Sequence, residues 1–430
     1  MDGSRSNSTR ALVVAGFAAF CTYFCMYAFR KPFSAATYDD AEFLGLGLKT
    51  VLVISQLVGY MLSKFIGIKV VSEMRGEYRA ASIVFLILIA EAALVGFAIA
   101  PVSLKVVMLF FNGLPLGMIF GLVLAYLEGR KQTEALSAAL CASFIVSSGV
   151  VKSVGQWLVQ DCGVSEFQMP MMTGLIFFPP MLFSVWMLQR TPPPDQRDRE
   201  LRSERKPVDR AKRREFFRAY WPGLSLMVFA YVALTVIRTI RDDFGVEIWR
   251  DMGVSETPSI YATTETVVAI CVTLLNGLAV YFVHNLMAIR TTIGMMCTAF
   301  VLVVVSAVLK SAGWMTPFGF MVACGVGLYV PYVAFHTTVF ERIIAASRHP
   351  SNLGFLMYVA DAVGYLGYAL VLVLRSTSFK PGSVLPFFQV SLIAVGVVSV
   401  VCLLAATMYF QTVLTRESES EQVEAAPSAE

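Results

Sequence analysis

Twelve long apolar runs, separated by short polar stretches, dictate the environment in which this chain can fold. They cover 11–37, 48–68, 80–100, 104–127, 135–158, 169–189, 220–241, 259–283, 290–310, 316–341, 353–375 and 387–411. Each is about 20 residues or longer, the length an α-helix needs to cross the hydrocarbon core of a bilayer. Lipid offers the backbone no hydrogen-bond partner, and a helix satisfies its own. Apolar residues make up 57% and charged residues 15% of the 430, whereas a soluble domain carries roughly a quarter charged residues. The expected fold is an all-α membrane protein with twelve transmembrane helices. The first run leads directly into Arg30-Lys31-Pro32 without a small-residue cleavage site, so it reads as a retained helix and not a signal peptide.

The longest polar interior stretch, 190–218, carries eleven Lys/Arg against six acids. It divides the chain into an N-terminal six-helix half (1–189), a basic linker (190–218) and a C-terminal six-helix half (219–411). The remaining residues, 412–430, are polar and read as a disordered tail. With both termini in the cytoplasm, 22 Lys/Arg fall inside and six outside (49, 105, 250, 310, 375 and 380), the asymmetry of the positive-inside rule. A bacterial inner membrane is the expected location. The halves share features at a similar offset: Arg30 with Arg238, and the Glu128/Arg130 cluster with Glu341/Arg342. Such offsets point to a parallel repeat, as in transporters built from two related halves.

A charge inside a spanning helix costs about 2.5–3.5 kcal/mol, so each one needs a reason. Tyr23, Tyr27, Arg30 and Ser34 recur at helical spacing and share one face, as do Tyr60 with Lys64 and Tyr231, Thr235, Arg238 with Arg241. The bland reading is snorkelling or structural pairing near an interface. The functional reading is an anion site, because a guanidinium presents a planar fork of donors and stays charged when desolvated. Two arginines from opposite halves are then expected to clamp one dianion. Lys152 in span 5 and Asp361 in span 11 either bind substrate or pair with opposite charges. Glu91 and Glu265 read as proton carriers or structural acids, and His336 as a titrating or structural histidine. Glycines at 113, 117 and 121 allow close helix approach. The eight cysteines lack ligand spacing and read as small apolar residues.

The stretch Tyr23, Tyr27, Arg30-Lys31, followed by Tyr60 and Ser63-Lys64-Phe65-Ile66, resembles the first two helices of the organophosphate:phosphate antiporters of the major facilitator superfamily. Arg238 with Asp243 is similar to that branch's second arginine, and Gly364-Tyr365-Leu366-Gly367 to its helix 11. The resemblance implies the major facilitator fold, with phosphate bound by Arg30 and Arg238 and the site lined by Lys64, Tyr23, Tyr27, Tyr60 and Tyr365. Two features depart from it. Span 5 has Lys152 and lacks the branch's histidine, and Glu73-Met74-Arg75 replaces the usual Asp-Arg between helices 2 and 3. The segment 26–38 also resembles an uncharacterised bacterial membrane family placed near these transporters.

The leading expectation is therefore a secondary transporter that exchanges a phosphate ester for phosphate. The alternatives are a proton-coupled symporter of carboxylates or sugar acids, using Asp361, Glu265, His336 or Glu91, and a non-transporting membrane sensor. An enzyme is disfavoured because no nucleophile–base pair recurs on adjacent spans. The expected partners are the bilayer and a small anionic substrate, with the chain acting as a monomer and without nucleic acid, metal or cofactor.

Overall fold

The computed structural model describes residues 2–39, 41–127, 133–191, 210–254, 257–279, 285–340, 353–378 and 384–424. The clusters at 128–130 and 341–342, His284, His349 and most of the basic linker lie outside these residues. Each expected span contains α-helix among the described residues. Spans 1 to 3 contain α1 (Asp2–Met26), α2 (Leu48–Glu73) and α3 (Arg79–Ile99). Span 4 contains α4 (Val102–Leu116) and α5 (Ile119–Leu127), and spans 5 and 6 are α6 (Thr133–Gln160) and α7 (Met169–Gln189). The second group comprises α8 (Arg210–Asp243), α9 (Gly245–Asp251), α10 (Ser259–Ala279), α11 (Asn285–Ser311), α12 (Pro317–Ala334), α13 (Leu353–Ser378) and α14 (Val384–Glu424). Among the described residues ten helices are long and apolar enough to cross a membrane, besides the shorter Val13–Phe29.

The differences from the expected spans have local causes. Span 1 stops being α-helical at Met26 and continues as two 3₁₀ turns, Tyr27–Phe29 and Pro32–Ala35, because Pro32 has no N–H and its ring excludes the carbonyl four residues back. Span 4 breaks at Gly117–Met118, just after Pro115. The short α9 had no apolar run to announce it. α8 begins inside the expected linker, and α14 continues to Glu424 through residues expected to be disordered. A two-stranded hairpin pairs Glu42–Phe43 with Leu46–Gly47. Its turn residues Leu44 and Gly45 both have positive φ (55° and 74°), the signature of a type I′ turn.

By internal packing the chain forms two compact units. The first is Met1–Ser203, Thr239–Thr273 and Tyr368–Phe388; the second is Glu204–Arg238, Leu274–Gly367 and Gln389–Glu430. In the first unit α2 packs along α4, α3 along α4, and α1 against α6 and α7. The α2–α4 approach is set by glycine. A Cβ on Gly113 would strike the Gln56 carbonyl and the Tyr60 amide, and one on Gly117 would strike Ser63 and the Tyr60 carbonyl. In the second unit α11 packs along α12, and Gly364 and Gly367 of α13 seat against Thr235, Val232 and Val236 of α8.

Gly113→Ala should destabilise the protein by about 1–3 kcal/mol through overpacking, read as a lower unfolding temperature in detergent. Gly294→Ala, with nothing within 4 Å of the added methyl, should leave it unchanged or slightly raised.

Candidate functional site

The break in span 1 builds the site of the first unit. Carbonyls that leave a helix inside a membrane need donors, and neighbouring helices supply them. Asn112 of α4 donates to Phe29 O (2.9 Å) and Ala90 O (3.0 Å), and Gln56 of α2 donates to Arg30 O (2.8 Å) and to Asn112 Oδ1 (2.7 Å). Lys49 donates to Ser34 O (3.0 Å) and Gln156 of α6 to Ala35 O. This scaffold holds Arg30 with its guanidinium carbon 3.7 Å from the ring centre of Tyr60 and 5.8 Å from that of Tyr27. Tyr23 meets Tyr27 edge to face at 5.6 Å, and the Lys64 ammonium lies 5.4 Å from the Tyr60 ring. The structure thus brings Tyr23, Tyr27, Arg30, Tyr60 and Lys64 into one cluster. Gly113 and Gly117 are what let the Tyr60-bearing face of α2 reach it.

Beside it lies a buried charge network. Lys31 pairs with Asp242 (2.6 Å) and Asp243, and Lys152 with Asp242 (2.7 Å). Ser148 donates to Asp242, and Tyr368 to Asp243 (2.8 Å). Two ammoniums face two carboxylates, so the group is charge-neutral. Lys49 pairs with Glu247 at 2.5 Å and Arg241 with Glu265 at 2.8 Å. Lys152 and Glu265, singled out from sequence, are therefore placed in ion pairs. Burial pushes the Glu247 carboxyl up, against the opposing pull of Lys49. At the exposed rim, hydrogen bonding from Arg250 holds the Asp39 carboxyl below its ordinary value. Glu91 is buried in α3 facing Gly174, and neither of its carboxylate oxygens has a hydrogen-bond partner among the described residues.

The second unit carries its own arginine. Arg238 lies 4.2 Å from the ring centre of Tyr332 and 5.7 Å from that of Tyr329, both on α12. Tyr332 stacks on Tyr231 (6.0 Å) and touches the His336 ring (4.4 Å). Tyr231 donates to Asp361 of α13. Tyr365, one turn further along α13, is also buried. His336 sits in a π-helical turn, Phe335–Val339, that continues α12.

Sequence reasoning placed the arginines but did not name Tyr329 and Tyr332 or the amides of Gln56 and Asn112. It also left Lys31, Asp242 and Asp243 off the candidate list. The spacing of Tyr329, Tyr332 and His336, one or two helical turns apart, was an available signal. Polar amides inside spans 2 and 4 were another. Among the described residues no group of three His, Cys, Asp or Glu could hold a metal.

A family model described as a family of unknown function (DUF5690) matches residues 32–413. No curated protein matches the sequence. Among solved structures, a D-xylose–proton symporter is similar with a TM-score of 0.61 at 13% identity, covering 92% of this chain and 96% of that one. A mutant of the nucleoside transporter NupG gives 0.57 at 13% identity, covering 93% and 99%. The chain therefore has the all-α membrane transporter fold of the major facilitator type.

Asp242→Asn removes the carboxylate shared by Lys31 and Lys152 and should destabilise the protein by about 3–5 kcal/mol. Adding Lys152→Met, which restores neutrality, should recover much of that loss in thermal unfolding.

Proposed function

The chain belongs to DUF5690, a family of unknown function, and we propose that it transports small organic anions across a membrane by alternating access, most specifically a phosphate ester in exchange for inorganic phosphate. One observation carries the reading. Each compact unit buries an arginine against two tyrosine rings: Arg30 by Tyr60 and Tyr27, and Arg238 by Tyr332 and Tyr329. Aromatic rings hold a guanidinium by cation–π attraction, and a guanidinium presents a fork of donors that matches an oxyanion. Lys64, 5.4 Å from the Tyr60 ring centre, adds a second cation, and Tyr23 and Tyr365 add hydroxyls. The fold is that of secondary transporters. The pairs of Lys31, Lys49 and Lys152 with Asp242, Asp243 and Glu247 all lie within the first compact unit.

Purified protein should be stabilised against heat by inorganic phosphate and phosphate esters, by mass action on the folded state. Arg30→Lys and Arg238→Lys keep the charge and lose the fork, so each should weaken binding by about 2–5 kcal/mol, or roughly 30-fold to several thousand-fold. Arg75→Lys, an exposed position, should behave as the parent. Parental phosphate affinity in both intramembrane variants would refute the assignment.

We further propose a monomer in a bacterial inner membrane; the Lys/Arg asymmetry supports an orientation with both termini and residues 190–218 cytoplasmic. A cysteine introduced into that linker, in a background without reactive native cysteines, should resist an impermeant thiol reagent in intact cells. Labelling from outside would reverse the orientation.

A further inference from the structure

The group formed by Tyr231, His336 and Asp361 has a geometry that selects one atom for a proton. The His336 Nδ1 lies 2.9 Å from the Tyr332 carbonyl. A carbonyl only accepts, so Nδ1 carries the hydrogen and the neutral ring keeps its lone pair on Nε2. Nε2 faces the Tyr231 hydroxyl oxygen at 3.5 Å and Asp361 Oδ1 at 4.0 Å. The one phenolic proton of Tyr231 is donated to Asp361. Protonation at Nε2 forms one N–H bond with a proton from solution and turns that edge into a donor aimed at a carboxylate and a phenol oxygen. Loss of the same proton to solution restores the starting state.

The surroundings connect this atom to the arginine. α8 presents Tyr231 and Arg238, α12 presents Tyr329 and Tyr332, and α13 presents Asp361 and Tyr365. α11, also packed against the π turn, has no acid or histidine in its sequence, and its Arg290 is exposed. One ring, Tyr332, touches both Arg238 and His336. A π turn is an uncommon element that recurs at functional sites, and here it carries the histidine.

We propose that His336 Nε2 is the proton-binding atom of this protein, and that its protonation is linked to occupancy of the Arg238 site by an oxyanion. The inference rests on the anion reading and adds the coupling ion to it. An anion beside Arg238 offsets the charge that a proton brings to His336, and the two sites share Tyr332. Each therefore favours the other, by the same factor in both directions. The protein binds anions together with a proton, and anion affinity rises as the pH falls through the titration of His336.

Sulfate is the probe, because its charge does not change near neutral pH, as that of phosphate does. Sulfate affinity, read by thermal shift and calorimetry, should be about tenfold higher at pH 6 than at pH 8 in the parent, within the usual range of coupling. Binding in weak buffer should take up protons. His336→Gln should abolish both the pH dependence and the uptake while retaining sulfate binding, and His349→Gln should change neither. Should His336→Gln fail to fold, the ring resonances of the three histidines decide the matter in the parent, where sulfate must raise the pKa of one that Asp361→Asn lowers. Sulfate binding that is independent of pH, or pH dependence that survives His336→Gln, overturns the coupling and leaves the anion reading standing. No sulfate or phosphate binding at any pH overturns the anion reading, and this inference with it.

Discussion

A helix that unwinds within the bilayer exposes carbonyls that lipid cannot satisfy, and the arrangement around residues 27–36 answers that constraint. Pro32 forces the interruption, and Asn112, Gln56, Lys49 and Gln156 donate to the carbonyls it releases. Leaving any of these groups unsatisfied would cost on the order of 1–3 kcal/mol. The donors come from α2, α4 and α6, so the break also fixes how those helices pack on span 1. Everything else in the first unit depends on it. Arg30 and Lys31 leave an irregular turn in different directions, one to the tyrosines and one to the aspartates, which two neighbours on a regular helix would also do only at a 100° separation.

The two adjacent basic residues thus have different chemistry. Lys31 belongs to a neutral four-charge group with Lys152, Asp242 and Asp243. Such a group adds little net stability relative to apolar packing, because desolvation offsets most of the attraction. Removing any one member leaves an uncompensated buried charge. Arg30 lies against the rings of Tyr60 and Tyr27. Two neighbours in sequence thus face different surroundings, one carboxylates and one aromatic rings. The second unit repeats it: Arg238 lies on Tyr332, while Asp361 is engaged by Tyr231. The same aromatic surface that holds Arg238 also contacts His336, which gives the anion reading a route to proton coupling.

Much of this was legible in the residues. Apolar run length located all the spans, because the bilayer imposes one length and one secondary structure. Helical spacing grouped Tyr23, Tyr27 and Arg30, paired Tyr60 with Lys64, and put Tyr231 on the face of Arg238, because neighbours along one helix follow from periodicity alone. Periodicity could not tell that span 1 would change to 3₁₀ turns, that span 4 would divide after Pro115, or that charged residues beyond 412 would continue a helix. Those outcomes depend on what packs against each segment and on side chains with good helix propensity at a polar end.

The sequence by itself determined the membrane environment, the helical spans and the arginine–tyrosine stripes, since all three are properties of single segments. Only the tertiary structure decided the partners. Lys152, a substrate-binding candidate from sequence, lies on Asp242 across 90 residues, and Glu265 lies on Arg241. Tyr332, absent from the sequence-based candidates, provides the ring beneath Arg238. A buried charge meets whatever opposite charge the fold brings within reach, and that choice is made between segments distant in the chain, where spacing along one helix carries no information.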